Sequence, residues 1–465
     1  MSEQANKRIG DYISESNSEV IVVGAGLAGS ECSWQLAERG HKVLLVEQRP
    51  VRSNEAHTGP DFAELVCSNS LKSKDPESAP GILKDELLKM NSLILAAANE
   101  SEVPAGQALA VDRIKFAKFI TEKLESHPNI TIARQPLHHW EEALITKNGK
   151  EIPCIFATGP LTSEDLAQSL EPLLGEKLYF YDAIAPIITG ESINTEIAFT
   201  QNRYDKNLSE NGSDDGDYLN CPFNKEEFEN FIQALKAAEI VPAHQFEKAK
   251  YFQGCQPIEA ILEKGERSLL FGPMKPVGLT DPRTGQRPYA VVQLRKEDCE
   301  GRAWSMVGFQ TKLKYGEQSR IFKMIPGLEN AEFYRLGSLH RNTFIHSPSL
   351  LDSNLRLKKH PWIRFAGQVT GVEGYLESCA IGALVGRLTS LELRGMESPL
   401  SPPETCVLGA LASATYNGNH KNFQPMNVNW GLVPLNGINE RDKEKKQKLK
   451  VRAEKDFAHW MALFG

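Results

Sequence analysis

Two cysteines sit where a thiol could react. Cys67 lies in DFAELVCSNSL (61–71), among small polar residues shortly after a glycine-rich motif. Cys255 lies in KYFQGCQPIEAILEKG, preceded by Gly254 and followed by Pro257, which can begin a helix. A thiol just ahead of a helix N-terminus has its thiolate favoured by the dipole, one route to a reactive cysteine. Both residues also admit a plainer reading, because unpaired cysteine is among the side chains most often packed in a core. The sharper reading is a reactive group beside a cofactor. The cofactor signal is Gly24, Gly26 and Gly29, a G-x-G-x-x-G pattern. Together with Ala25, Leu27 and Ala28 these glycines make the loop that lets a backbone approach a pyrophosphate.

The surrounding elements suit that role. Val20 to Val23 is a continuous apolar run of the kind found in buried parallel strands. Ser30 to Arg39 has helical character, Gly40 stops it, and His41 to Val46 reads as a second strand. Glu47 follows at that strand's carboxyl end, where an acid can hold a ribose hydroxyl, and the helix N-terminus would face the pyrophosphate. Two later stretches favour FAD as the dinucleotide. CIFATGP (154–160) is a short apolar strand ending at Gly159. IRFAGQVTGVEGYLESCAIGALVGRLTSLEL (363–393) is a strand, a glycine-rich turn and a long helix. Gly367, Gln368, Gly371, Gly374 and Tyr375 are cofactor-binding candidates there, the helix start offering its amides to reduced flavin. Gly371, Gly374 and Gly382 also read as helix-start and helix-packing glycines, which is compatible.

The chain has 465 residues, 41% of them apolar and 24% charged, the profile of an ordinary globular protein of two or three domains. No run approaches the roughly 18 apolar residues of a membrane span, and the polar N-terminus lacks the apolar core of a secretion signal. The eight cysteines are scattered with no CxxC pair, so no metal site is expected. These features predict a cytoplasmic protein with free thiols. A net charge of −7 argues against wholesale coating of nucleic acid, though not against one local basic face.

The predicted fold class is α/β, a Rossmann-like FAD-binding domain split in sequence, with an inserted α+β domain. The predicted segments are a flexible leader (1–18), the FAD-binding domain's first part (19–192), the insertion (193–339), the second part (340–435) and a charged C-terminal helix (436–465). Within the insertion, NKEEFENFIQALKAAE (224–239) reads as a capped amphipathic helix, and RPYAVVQLR and WSMVGFQTKL read as strands. Lys312, Lys314, Arg320, Lys323, Arg335 and Arg341, then Arg356, Lys358, Lys359 and Arg364, interleave with Tyr315, Phe322 and Tyr334. Charge with stacking surface suits single-stranded or looped RNA, although amphipathic strands look similar.

The segments VIVVGAGLAGSE, FAELVCSNSLKS, VPAGQALAVDR, FATGPLTS, YLNCP, GCQPIE, FGPMKPVGL, RPYAVVQLR, GFQT, IPGLEN, HRNTFI, SPSLL, FAGQVTGVEGY and NFQPMNVNWGL occur in that order. Together, from Val20 to Leu432, they closely resemble the bacterial folate- and FAD-dependent tRNA (uracil-5-)-methyltransferase family. The leader, the final helix and the loop Asn207 to Asp217 fall outside the pattern. A related flavoprotein family acts at the tRNA wobble position and carries a long C-terminal helical domain that this chain lacks.

The resemblance implies that 5,10-methylenetetrahydrofolate donates a one-carbon unit to uridine C5 at position 54 of the tRNA T-loop. Reduced FAD then converts methylene to methyl, with NADPH or NADH recharging the flavin. It assigns Cys255 to attack on uracil C6 and Cys67 to C5 proton removal or shielding of the nucleophile. His340 is the candidate to cover a pterin, with Arg341 or Lys275 near the folate glutamate tail. It further implies tRNA and folate as partners, no DNA or membrane, and a monomer or weak homodimer. The alternatives are the same chemistry on ribosomal RNA, a plain NAD(P)H:flavin oxidoreductase, and an RNA-binding module using FAD structurally.

Overall fold

The computed structural model describes residues 7–53, 56–175, 178–205, 216–241, 256–396, 400–418 and 423–462. Two six-stranded sheets dominate it. The first runs, in spatial order, Arg356–Leu357, His360–Phe365, Cys154–Phe156, Val20–Val23, Val43–Glu47 and Ile130–Arg134. The five strands from His360–Phe365 to Ile130–Arg134 are parallel, with Val23 level with both Val46 and Phe156, and Phe156 level with Phe365. Four strands therefore end side by side on one edge. Val20 to Val23 and Val43 to Glu47 are buried throughout, as a sheet covered on both faces requires. Each fully buried valine or leucine there contributes roughly 1.5–3 kcal/mol.

The Leu27–Ala37 helix leaves the first strand and packs against the Tyr375–Leu393 helix. Small residues set their separation: a Cβ on Gly382 would lie 2.3 Å from the Ala28 carbonyl oxygen, and one on Gly386 2.8 Å from that of Cys32. Gly382 is thus a helix-packing glycine. The nucleotide fold is assembled from the beginning and the end of the chain.

The second sheet is antiparallel, in the order Phe199–Thr200, Tyr218–Phe223, Ala290–Lys296, Ala303–Met306, Ile187–Thr189 and Phe333–Arg335. The Lys225–Lys236 helix covers it, begun by a capping box between Asn224 and Glu227 and burying Phe228, Phe231, Ile232 and Leu235. WSMVGFQTKL is strand only as far as Met306, since Gly308 adopts a positive φ of 74°. The chain crosses between the two modules through an antiparallel pair, Leu178–Ala183 with Leu339–Phe344.

Three expectations need correction. Ile187–Thr189 already belongs to the second sheet, so the insertion begins before residue 193; short strands carry little composition signal. The leader is not wholly flexible, because Ile9–Ser16 is a helix with Ile9 and Ile13 in the main core. The charged C-terminal helix begins at Lys445 rather than at Asn436, and one of its faces is apolar and packed. Leu449, Ala453, Phe457 and Trp460 face the same core, and Trp460 donates from Nε1 to the Leu400 carbonyl. Among the described residues no helix is long and apolar enough to cross a membrane.

Candidate active site at the nucleotide cleft

The strand ends of the parallel sheet open into a partly enclosed cleft, the usual place for a ligand in such a fold. Gly24, Gly26, Leu27, Ala28, Glu47, Gly159, Gly367, Gln368 and Tyr375 line it, whereas Ala25, Gly29, Gly371 and Gly374 do not. The three motif glycines are needed for different reasons. Gly24 has φ of 98°, and a Cβ there would lie 2.6 Å from the Ala157 oxygen. A Cβ on Gly29 would lie 1.8 Å from the Gly24 oxygen, so this glycine closes helix onto strand. A Cβ on Gly26 would meet nothing within 4 Å. Its bareness faces the cleft at the first residue before the Leu27–Ala37 helix, whose first-turn amides lack intrahelical acceptors. That vacant approach beside a helix N-terminus fits a pyrophosphate.

Glu47 is buried at the cleft wall. Its Oε2 accepts from Ala25 N–H at 2.8 Å, and its Oε1 accepts from Arg49 N and Nε at 3.0 and 2.9 Å. The carboxylate therefore braces the glycine loop. Arg49 also pairs with Glu64, which accepts from Thr58 and Gly59 and orders the adjoining loop. Gly367 and Gly371 take positive φ in the turn before the long helix, and a Cβ on Gly371 would strike the Phe423 ring at 2.5 Å.

Cys67 stands where the cleft meets the inserted sheet. Tyr375, the first residue of the long helix, places its hydroxyl 2.8 Å from Cys67 N, 3.2 Å from Ser68 N and 3.1 Å from Cys67 Sγ. Arg113 donates from Nη1 to the Leu65 carbonyl and pairs with Glu297 of the insertion. Arg335, from the edge of the inserted sheet, donates to the Val66 carbonyl. Residues from three distant parts of the sequence thus hold one short loop. Sequence reasoning gave Arg113 no role, although it lies in the quoted segment VPAGQALAVDR, and placed Arg335 in an RNA-binding stretch.

Several cations of that stretch are ion-paired within the chain. Lys312 pairs with Glu263, Lys314 with Glu239, Arg320 with Glu317 and Arg356 with Asp352. Arg364 is fully buried against Glu392, and Phe322 is in the core. Tyr315 and Tyr334 are exposed. Phe322 and Arg364 therefore belong to packing, while Lys314, Arg320, Tyr315 and Tyr334 stay at the surface.

Lys275 is exposed on the inserted module and does not line the cleft. His340 and Arg341 lie in the Leu339–Phe344 strand, opposite Asp182 and Tyr181; their side chains are outside the described residues. Cys255 is also outside them. Pro257 does precede a helix, Ile258–Leu262, but at five residues its dipole is small.

Known proteins share this chain's sequence over nearly its whole length. It is 53% identical over 418 residues to the methylenetetrahydrofolate--tRNA-(uracil-5-)-methyltransferase TrmFO of Desulfotalea psychrophila, covering 90% of this chain and 91% of that one. The TrmFO of Geobacter sulfurreducens is 49% identical, covering 95% and 99%. The chain belongs to the methylenetetrahydrofolate--tRNA-(uracil-5-)-methyltransferase family. The family model described as glucose inhibited division protein A matches residues 19–397 of this family member. Among solved structures, GidA from Aquifex aeolicus superposes with a TM-score of 0.67 at 15% identity, covering 95% of this chain and 73% of GidA. That likeness carries the α/β, GidA-like FAD-binding fold.

Proposed function

We propose that the protein transfers a one-carbon unit from 5,10-methylenetetrahydrofolate to C5 of a uridine in the T-loop of tRNA, with NAD(P)H as the ultimate reductant. The family's name supports substrate and donor. The observation that carries the chemistry is the Cys67 thiol, held at the cleft edge by Tyr375, a residue that itself lines the cleft. Gly24, Gly26 and Gly29, the amides of the following helix, and the Gly367–Gln368 turn would hold FAD. Bound and reduced, FAD supplies the electrons that turn the transferred methylene into methyl.

Uracil C5 is a poor carbon nucleophile until a thiolate adds to C6 and leaves an enolate. Cys255 is the residue we assign to that addition. Once the enolate has taken up the one-carbon unit the C5 proton must depart, and Cys67 is the residue we assign to accept it. The braced glycine loop and the buried Glu47–Arg49 pair keep the cleft wall fixed while RNA and folate exchange at its mouth. Incubating the purified protein with NADPH, labelled methylenetetrahydrofolate and undermethylated tRNA should place label in 5-methyluridine of the T-loop. Flavin reduction without label in RNA would overturn the reading in favour of a plain oxidoreductase; label confined to added ribosomal RNA would move the substrate.

A further inference from the structure

The Tyr375 hydroxyl permits a complete proton inventory. A phenolic oxygen has two acceptor sites and one proton. Both acceptor sites are taken by backbone N–H groups, Cys67 N at 2.8 Å and Ser68 N at 3.2 Å. Neither amide can do anything but donate. Among the described residues the hydroxyl's remaining hydrogen-bond contact is Cys67 Sγ at 3.1 Å, well inside the range for a hydrogen bond to sulfur. An S–H pointing at the oxygen would find no lone pair left, so the O–H donates and the sulfur accepts. We propose that Tyr375 is a positioning residue that holds the Cys67 sulfur as a hydrogen-bond acceptor and so favours its thiolate form.

The surroundings agree in sign. Arg113 and Arg335 approach the same loop from the nucleotide domain and from the inserted sheet, donating to the Leu65 and Val66 carbonyls, and two cations beside the loop favour an anionic sulfur. Arg113 is partly offset by its pairing with Glu297, whereas Arg335 is not bridged to a carboxylate among the described residues. On the helix that carries Tyr375, the nearest acid, Glu377, is committed to Lys72. Burial, with the neighbouring sulfur, pushes the phenol well above its ordinary 10, so it keeps the proton it donates. The inference rests on the proposed role of Cys67. In that role the thiolate takes the C5 proton: an S–H bond forms, the C5–H bond breaks, and its electron pair stays on the uracil ring as an enolate.

The test needs neither RNA nor folate, so its failure is separable from failure of the methylation reading. In the full FAD-loaded protein, alkylation of Cys67 by iodoacetamide is followed against pH, with mass spectrometry resolving that one peptide. The midpoint reports thiolate formation and the high-pH plateau reports access. The native midpoint should lie below the roughly 8.5 of a free cysteine. In Tyr375→Phe it should rise by about one to two pH units, the effect of losing one hydrogen bond to a charged group, with the plateau within about twofold. A changed plateau at an unchanged midpoint means Tyr375 only shapes the loop, and overturns the proposal. So does a native midpoint at or above about 8.5, a result that stands even if the variant fails to fold or to retain flavin.

Discussion

Gly26 and Gly29 belong to one motif, yet the structure assigns them separable failures. A Cβ on Gly26 meets nothing within 4 Å, and the backbone there (φ −73°, ψ −170°) is extended and open to any residue. Gly26→Val should therefore fold. Lower entropy of the unfolded chain contributes about 0.4–1 kcal/mol, offset by a poorer N-cap of similar size, for a net change within about 1 kcal/mol. The valine methyls occupy the cleft space assigned to pyrophosphate. Overpacking of this kind costs about 1–3 kcal/mol, or roughly 10- to 100-fold in FAD affinity. Gly29→Ala does the reverse. Its Cβ would lie 1.8 Å from a backbone oxygen that cannot rotate away, so the apo-protein itself should lose about 1–3 kcal/mol. Fluorescence titration of apo-protein with FAD, beside thermal unfolding of the same apo-proteins, separates the two. Native FAD affinity in Gly26→Val, or native apo stability in Gly29→Ala, would refute the reasoning.

Further outcomes follow from other sites. Cys255→Ser should bind FAD yet trap no adduct with 5-fluorouridine RNA, whereas Cys67→Ser should still trap one while losing turnover; adducts from both would leave neither thiol as sole nucleophile. Burial pushes the Glu86 carboxyl up to about 8 from its ordinary 4.5, despite hydrogen bonds from Val407 and Leu408 N–H. The folded state then holds a proton that the unfolded state releases. This group's contribution should fall as pH rises from about 4.5 to about 8 and stay flat above, and Glu86→Gln should flatten that part of a urea-stability profile. Glu392→Ala should cost about 3–5 kcal/mol by denaturant unfolding, because it strands the fully buried Arg364 guanidinium.

The nucleotide half was legible in the sequence because its signals are local. Val20 to Val23 reads as a buried strand and Gly40 ends a helix, each through residues a few positions apart, and the same locality exposes the Asn224–Glu227 cap in the insertion. The order of quoted segments carried the family, and the glycine pattern carried the cleft. Distance in sequence hid the rest. Tyr375 meets Cys67 across 308 positions and Arg335 meets Val66 across 269, so no periodicity links them. A run of lysines and arginines reads the same whether it faces RNA or pairs with Glu263, Glu239 and Glu317. Charge type is written in the chain, but its partner is fixed only when strands and helices pack. The sequence by itself determined which residues could do chemistry and which loop could hold a dinucleotide. Only the tertiary structure brought the Tyr375 hydroxyl to 3.1 Å from the Cys67 sulfur, because a hydrogen bond depends on position in space.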